Sequence, residues 1–283
     1  MNDAPRILLV DNGSTRAGST LSLRRLAAAL AERIGEPVHP VSLMHADKVP
    51  ERALDGCAAD IFEPFIRRQA AAGHRGFLVL PLFFGPSRAL TDFVPTRVAA
   101  AAAESGPLQL QVADVLCPLP RGEPRLTGIL HDNLRRRAAS QGLPIEQVVL
   151  VDHGSPIPTV TAVRRWLAHD LQGRLGDTAR LEEAVMERRG GAEYDFNGDL
   201  LDDVLRRLAR AGGGPVLLSM LFMFPGRHAG PGGDVERTYR TLEREQPGLR
   251  VYQSGLVGEH PGIIDILESR YRSAVNGRAA RAT

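Results

Sequence analysis

The chain is written twice, and that constrains its fold more than any other feature. "VDNGSTRA" (residues 10–17) returns as "VDHGSPIP" (residues 151–158), each after a short apolar run. "FLVLPLFFGPSRALTD" (residues 77–92) resembles "VLLSMLFMFPGRHAGPGGD" (residues 216–234), and "GEPRLTGIL" (residues 122–130) resembles "GEHPGIIDIL" (residues 258–267). Setting Asn12 over His153, Leu82 over Leu221 and Pro124 over Pro261 gives offsets of 141, 139 and 137 residues. Three matches in one order mark a tandem duplication, and a repeat of this kind governs the whole fold. The joint lies near residues 140–147, so the chain is expected to divide into halves 1–143 and 144–283, each the size of an ordinary domain.

Each half alternates strand and helix. In the first, "RILLV" leads into "LSLRRLAAALAERIG", where Leu23, Leu26, Ala27, Leu30 and Ile34 recur at helical spacing. Ser19 or Thr20 is expected to cap this helix and Gly35 to end it; Pro64 is expected to kink the next one. "GFLVLPLFF" and "GPVLLSMLFMF" are continuous apolar runs, as parallel strands covered on both faces require. The fold class is therefore α/β: two similar doubly wound domains, each with a mainly parallel four-stranded sheet flanked by helices, facing each other across a cleft. Active sites of such sheets lie beyond the carboxyl ends of the strands.

Composition excludes several function classes. The 283 residues carry a formal net charge of +2 with no block of like charge, which argues against nucleic-acid binding. No apolar run is long enough to cross a membrane, and residues 1–10 lack a signal-peptide pattern, so a cytoplasmic protein is expected. Cys57 and Cys117 are far apart and form no zinc or disulfide pattern. The glycine-rich stretches match neither GxGxxG nor GxxxxGK[ST], so no nucleotide is expected, and there is no GxSxG elbow. Lys48 is the only lysine, so nearly all positive charge is arginine, whose fork suits the carboxylates of a ligand as well as surface ion pairs.

Three residues of the second half bear on chemistry. His153 follows strand "QVVLV" in a turn with Gly154 and Ser155; His228 lies in the loop "FPGRHAGPGGD" after the third strand; Glu187 ends the second strand. The topology sends all three to one sheet edge. Two imidazoles there can bind a borderline divalent metal or take protons near neutral pH. Each histidine can equally be a turn or loop residue with local bonds, and Glu187 can orient a histidine, complete a metal site, or pair with Arg188 or Arg189. The first half lacks the pair: Asn12 stands for His153, no histidine lies near Ser87 and Arg88, and His45 stands for Glu187. An amide is no base near pH 7, so one site per chain is expected, with Asn12, Ser14, Ser87 and Arg88 touching substrate from the first half.

"VLVDHGSP", "PLFFGPSRALTDFVP" and "MLFMFPGRHAGPGGDVE" resemble the sirohydrochlorin chelatases of the cobaltochelatase and ferrochelatase type, in their long, internally duplicated form. The resemblance implies a class II chelatase, which inserts Co2+ or Fe2+ into sirohydrochlorin or a closely related tetrapyrrole without ATP, on the route to cobalamin or siroheme. Ni2+ is a third candidate metal. It implies that His153 and His228 hold the metal and help deprotonate pyrrole nitrogens, with Glu187 a third polar group. It implies further that Arg88, Arg227 and the turn at Gly154 and Ser155 meet substrate carboxylates. The chain departs from the long form in carrying its histidine pair in the C-terminal half. A non-catalytic metal or tetrapyrrole carrier is the alternative, and either a monomer or a homodimer is compatible with the duplication.

Overall fold

The structure, a computed structural model, describes residues 4–282. The first half runs β1 (Arg6–Asp11), α1 (Ala17–Ile34), β2 (Val38–Ser42), α2 (Phe62–Ala71), β3 (Gly76–Pro81), α3 (Val94–Ser105), β4 (Gln109–Val112) and α4 (Pro124–Gln141). The second runs β5 (Gln147–Asp152), α5 (Pro158–Leu175), β6 (Arg180–Val185), α6 (Leu201–Arg210), β7 (Gly214–Met220), α7 (Asp234–Glu245), β8 (Leu249–Gln253) and α8 (Ile263–Ala282). The strands form two four-stranded sheets, ordered β2-β1-β3-β4 and β6-β5-β7-β8, and every pairing is parallel. The expectation of mainly parallel sheets is met by wholly parallel ones.

Burial explains the pattern. Leu8, Leu9 and Val10 of β1, and Val149, Leu150 and Val151 of β5, are fully buried, because helices cover both faces of each central strand. Among the described residues, no helix is long and apolar enough to cross a membrane. Cys57 is exposed and Cys117 buried, and they form no disulfide.

The compact units differ from the halves of the repeat. One unit comprises Met1–Pro118 with Ile264–Thr283, the other Leu119–Ile263. The division at residue 143 follows the sequence duplication, but each half gives its closing helix to the other unit. Helix α4 packs on β7 and α5, burying Leu126, Ile129, Leu130 and Leu134. The exchanged helices lock in the same way. Asn133 of α4 donates to the carbonyls of Gly255 (3.2 Å) and Leu256 (3.5 Å) after β8. Arg270 of α8, at the matching repeat position, donates to the carbonyls of Val115 (2.8 Å) and Leu116 (2.9 Å) after β4. Both side chains are buried, so each offsets its own desolvation by satisfying carbonyls that the strand has left.

Two local expectations need correction. Helix α1 starts at Ala17 after Arg16, which makes no side-chain cap, and Ser19 and Thr20 are buried inside the helix. The apolar face extends further toward the N-terminus than the leucine pattern alone indicated. Pro64 causes no kink, because α2 begins at Phe62 and places it in the first turn, where no intrahelical N–H is needed. Gly35 does end α1, in the left-handed region at φ 74°.

Leu134→Ala, at a fully buried α4 position, is expected to lower unfolding free energy by about 2–5 kcal/mol in urea melts. A fragment of residues 144–283, which lacks α4, is expected to lose cooperative unfolding. A sharp transition in that fragment would show that the exchange is not needed for stability.

Candidate metal centre

Strand β5 lies between β6 and β7, with Asp152 opposite Val185 and Val151 opposite Met220. The three strands therefore end together, and the residues that follow share one edge. The ladder continues past the strands: Met186 N donates to Asp152 O (2.9 Å), Glu187 N to His153 O (3.0 Å) and Leu221 N to Val151 O (2.9 Å). Gly154 makes this closeness possible. Its φ is +86°, and a Cβ there would stand 2.0 Å from Glu187 O.

The side chains of His153, Glu187 and His228 converge. Each offers a ligand atom, and these atoms all lie within 4.8 Å of one another. The imidazole centroids are 4.5 Å apart, with the rings edge to face at 84°. Glu187 lies between them: Oε2 is 4.0 Å from His153 Nε2, and Oε1 is 3.7 Å from His228 Nε2. The side chains of His153 and Glu187 are 57% and 50% exposed, that of His228 only 11%, so the group opens to solvent on one side.

The outer ring atoms both lie near acceptor oxygens. His153 Nδ1 lies 3.1 Å from Gly154 O, which can only accept, so Nδ1 carries a proton and Nε2 is the atom turned to the site. His228 Nδ1 lies 2.9 Å from Asp234 Oδ2. That contact is close but off-line, and neither buried atom has a well-aligned hydrogen bond. Asp234, the first residue of α7, also meets Arg227 Nε at 3.2 Å and bonds Arg237. A carboxylate behind an imidazole raises its basicity and orients it, as in many metal sites. Both Nε2 atoms face the Glu187 carboxylate.

Burial pushes the His228 pKa below its ordinary value, and the neighbouring His153 adds to this; Glu187 and Asp234 oppose it. The neutral imidazole is the form that binds metal or accepts a proton. Because the folded pKa is the depressed one, this histidine's contribution to stability is complete above the ordinary histidine pKa. It is lost as pH falls through the folded value.

Sequence reading reached His153, Glu187, His228 and Arg227, whose Nη2 is 3.7 Å from Glu187. It missed the role of Asp234, although its "GGD" stood in the motif. It also missed a buried polar cluster under the His153 turn. Arg164 Nη1 donates to Asp152 Oδ1 (2.8 Å), and Asn197 Oδ1 accepts from Ser155 N (3.0 Å). Arg164 sits in α5 and Asn197 ends a short 3-10 helix (Ala192–Asn197) before α6, and nothing in the local sequence marks either.

In its own unit the first half keeps the turn without the chemistry. Leu43 N donates to Asp11 O (2.9 Å) and Met44 N to Asn12 O (3.2 Å), and a Cβ on Gly13 (φ +85°) would stand 1.8 Å from Met44 O. Asn12 is exposed, Ser14 Oγ accepts from Arg16 N (3.1 Å), Ser87 is half-buried and Arg88 is exposed. These four lie after β1 and β3, at the carboxyl edge of the first sheet. Asp11, deeply buried, is pushed up to about 6 by desolvation.

Comparisons with known proteins agree with this architecture. Residues 147–274, which contain His153, Glu187 and His228, match the CbiX family model. The solved structure of SirB from Bacillus subtilis with Fe3+ is similar over 97% of each chain, at 17% identity and a TM-score of 0.67. SirB from Bacillus subtilis subspecies spizizenii in complex with cobalt, described as a sirohydrochlorin chelatase, is similar over 97% of each chain at 18% identity, TM-score 0.63. CbiX, described as the terminal enzyme for siroheme biosynthesis in denitrifying bacteria, is similar over 95% of this chain and 99% of its own, at 16% identity and TM-score 0.57. At these identities the structures establish the fold. No curated protein matches the chain by sequence. The family match is confined to residues 147–274, in the C-terminal half of the chain.

An NMR titration of the imidazole resonances is expected to place His228 below the ordinary histidine value of 6.5. Glu187→Gln is expected to lower it further, since the carboxylate favours the charged ring. A midpoint above 6.5 in the unsubstituted protein would mean that the two carboxylates outweigh burial.

Proposed function

We propose that this protein inserts a divalent metal, Co2+ or Fe2+, into sirohydrochlorin or a closely related tetrapyrrole without ATP. The product would serve cobalamin or siroheme biosynthesis. The observation that carries the reading is the convergence of His153, His228 and Glu187 at one open sheet edge. The SirB structures with Fe3+ and with cobalt support it, as proteins of the same fold.

The metal is a substrate here. Two imidazole nitrogens and a carboxylate suit a borderline divalent cation and leave coordination positions for the incoming macrocycle. Insertion replaces two pyrrole N–H protons by one M2+, so two protons must leave. Neutral Nε2 of His153 or His228 accepts one, and Glu187 accepts or relays the other; the exposed side of the group passes them to solvent. The depressed basicity of His228 favours its neutral form near pH 7 and eases later release of the proton. Substrate carboxylates would meet Arg227, which is 72% exposed; the amides of Gly154 and Ser155, expected to join it, already donate to Asp152 and Asn197, so that turn shapes the site and does not bind the carboxylates. Asn12, Ser14, Ser87 and Arg88 belong to the same proposal as further substrate contacts.

An anaerobic absorbance time course of sirohydrochlorin with Co2+, Fe2+ or Ni2+ tests the reading. Catalytic amounts of protein are expected to accelerate conversion, and His153→Ala and His228→Ala each to slow it by about 10²–10⁴-fold. Arg88→Ala is expected to raise KM for the tetrapyrrole with kcat little changed. A spectral shift that saturates at one ligand per chain with no gain in rate would make the protein a carrier instead.

A further inference from the structure

We propose that Arg164 and Asn197 are positioning residues that hold the His153 turn in its metal-binding geometry. The proposal rests on the reading of His153, Glu187 and His228 as the metal-binding group.

An exposed side chain on a glycine turn is placed by its backbone. The His153 ring is more than half exposed and has one hydrogen-bond contact, to its neighbour Gly154. Packing therefore cannot fix it. What does hold the turn is a buried clamp on either side of it. Arg164, only 2% exposed, reaches up from α5 and uses its whole fork: Nη1 to Asp152 Oδ1 (2.8 Å), Nε to Glu183 Oε2 (2.9 Å) and Nη2 to Asn197 O (2.6 Å). Asp152 Oδ1 also accepts from Gly154 N (3.0 Å), which ties the guanidinium to the turn's own backbone.

Asn197, 1% exposed, completes the clamp. Its Oδ1 accepts from Ser155 N (3.0 Å) and Thr161 Oγ1 (3.2 Å), while its Nδ2 donates to Ser155 O (2.8 Å) and Tyr194 O (3.2 Å). One amide thus takes both backbone groups of Ser155, as a paired strand would. His153 is pinned at the residue before it and at the two after it. Its carbonyl holds the Glu187 amide, so the clamp sets the second ligand as well.

The duplication supplies an internal control. The half without a histidine has the same turn but no clamp. At the repeat position of Arg164 stands Leu23, buried in the core. Two residues before the partner of Asp152 on β6 is Glu183; two before the partner of Asp11 on β2 is Pro40. Three residues before the bridge at Leu200 is Asn197; three before the matching bridge at Ile61 is Ala58. Asp11 survives, bonded by Ser42 and Gly13, yet its Oδ1 has no partner. The fold therefore does not need the clamp to make the turn. The clamp accompanies the imidazole, which is what a positioning role requires and a purely architectural role does not.

The test is a Co2+ titration of the full chain, read by ligand-field absorbance, beside thermal unfolding. Asn197→Ala copies the first half. It is expected to unfold cooperatively, to bind Co2+ about 10–100-fold more weakly than the unsubstituted protein, and to show an altered Co2+ spectrum. Arg164→Lys, which keeps the charge but loses the planar fork, is expected to do the same. If Asn197→Ala does not fold, Arg164→Lys and the isosteric Asn197→Asp decide by the same criterion. Variants that are folded, even if less stable, and that bind Co2+ with the unsubstituted affinity and spectrum would overturn the proposal. Co2+ binding is read without turnover, so the two readings fail separately. A protein that binds Co2+ through the clamped site but never metallates a tetrapyrrole would sink only the proposed function. A protein that binds no Co2+ would sink the site itself.

Discussion

Parallel pairing of β5 between β6 and β7 is the constraint on which the rest depends. Parallel neighbours must be joined by crossovers, so every strand of the sheet ends at the same edge. Residues scattered over 76 positions of sequence, from Asp152 to His228, are brought together by that rule alone. The backbone ladder then runs one step beyond the strands, from Glu187 to His153, and only a glycine at 154 lets the two chains approach so closely. Position along a strand becomes position in the site, and the side chains need little packing of their own to converge.

The same sheet logic is used twice and spent on different ends. The first unit retains the glycine turn, its positive φ and its ladder, but presents an amide where the second presents an imidazole. It also leaves a carboxyl, Asp11, buried without an arginine, where Asp152 has Arg164. Burial raises the pKa of both carboxyls; at Asp152 Arg164 opposes the shift, while at Asp11 only hydrogen bonds from Ser42 and Gly13 do. The turn geometry can thus occur without the chemistry, because the geometry is held by backbone hydrogen bonds and the chemistry by side chains.

Exchange of the closing helices means that each compact unit contains segments of both halves of the duplication. Asn133 and Arg270 occupy matching positions and perform the same task with different groups, each capping carbonyls beyond the last strand of the other half's sheet. An amide and a guanidinium can both donate to two carbonyls, so the position tolerates either. The unit that contains the histidines is accordingly completed by a helix from the half that lacks them.

Much of this was legible in the sequence. Repeat offsets gave the duplication; apolar runs gave buried parallel strands; the topology rule placed His153, Glu187 and His228 at one edge. Those features are local or periodic, and local patterns survive in a string of letters. The helix exchange was not legible, because a repeat shows which segments are alike and not which sheet each one covers. The start of α1 was misread because Ser19 and Thr20 look like caps by type and are buried by context. Arg164 and Asn197 were invisible for a related reason. Their partners lie as far as 42 residues away, and a buried arginine or asparagine differs from an exposed one only by its surroundings. The sequence by itself determined the architecture and the residues of the candidate metal centre, since these follow from periodicity and residue chemistry. Tertiary structure alone decided which helix closes which unit and what holds the histidine turn in place, since burial and hydrogen-bond partnership exist only once the chain is folded.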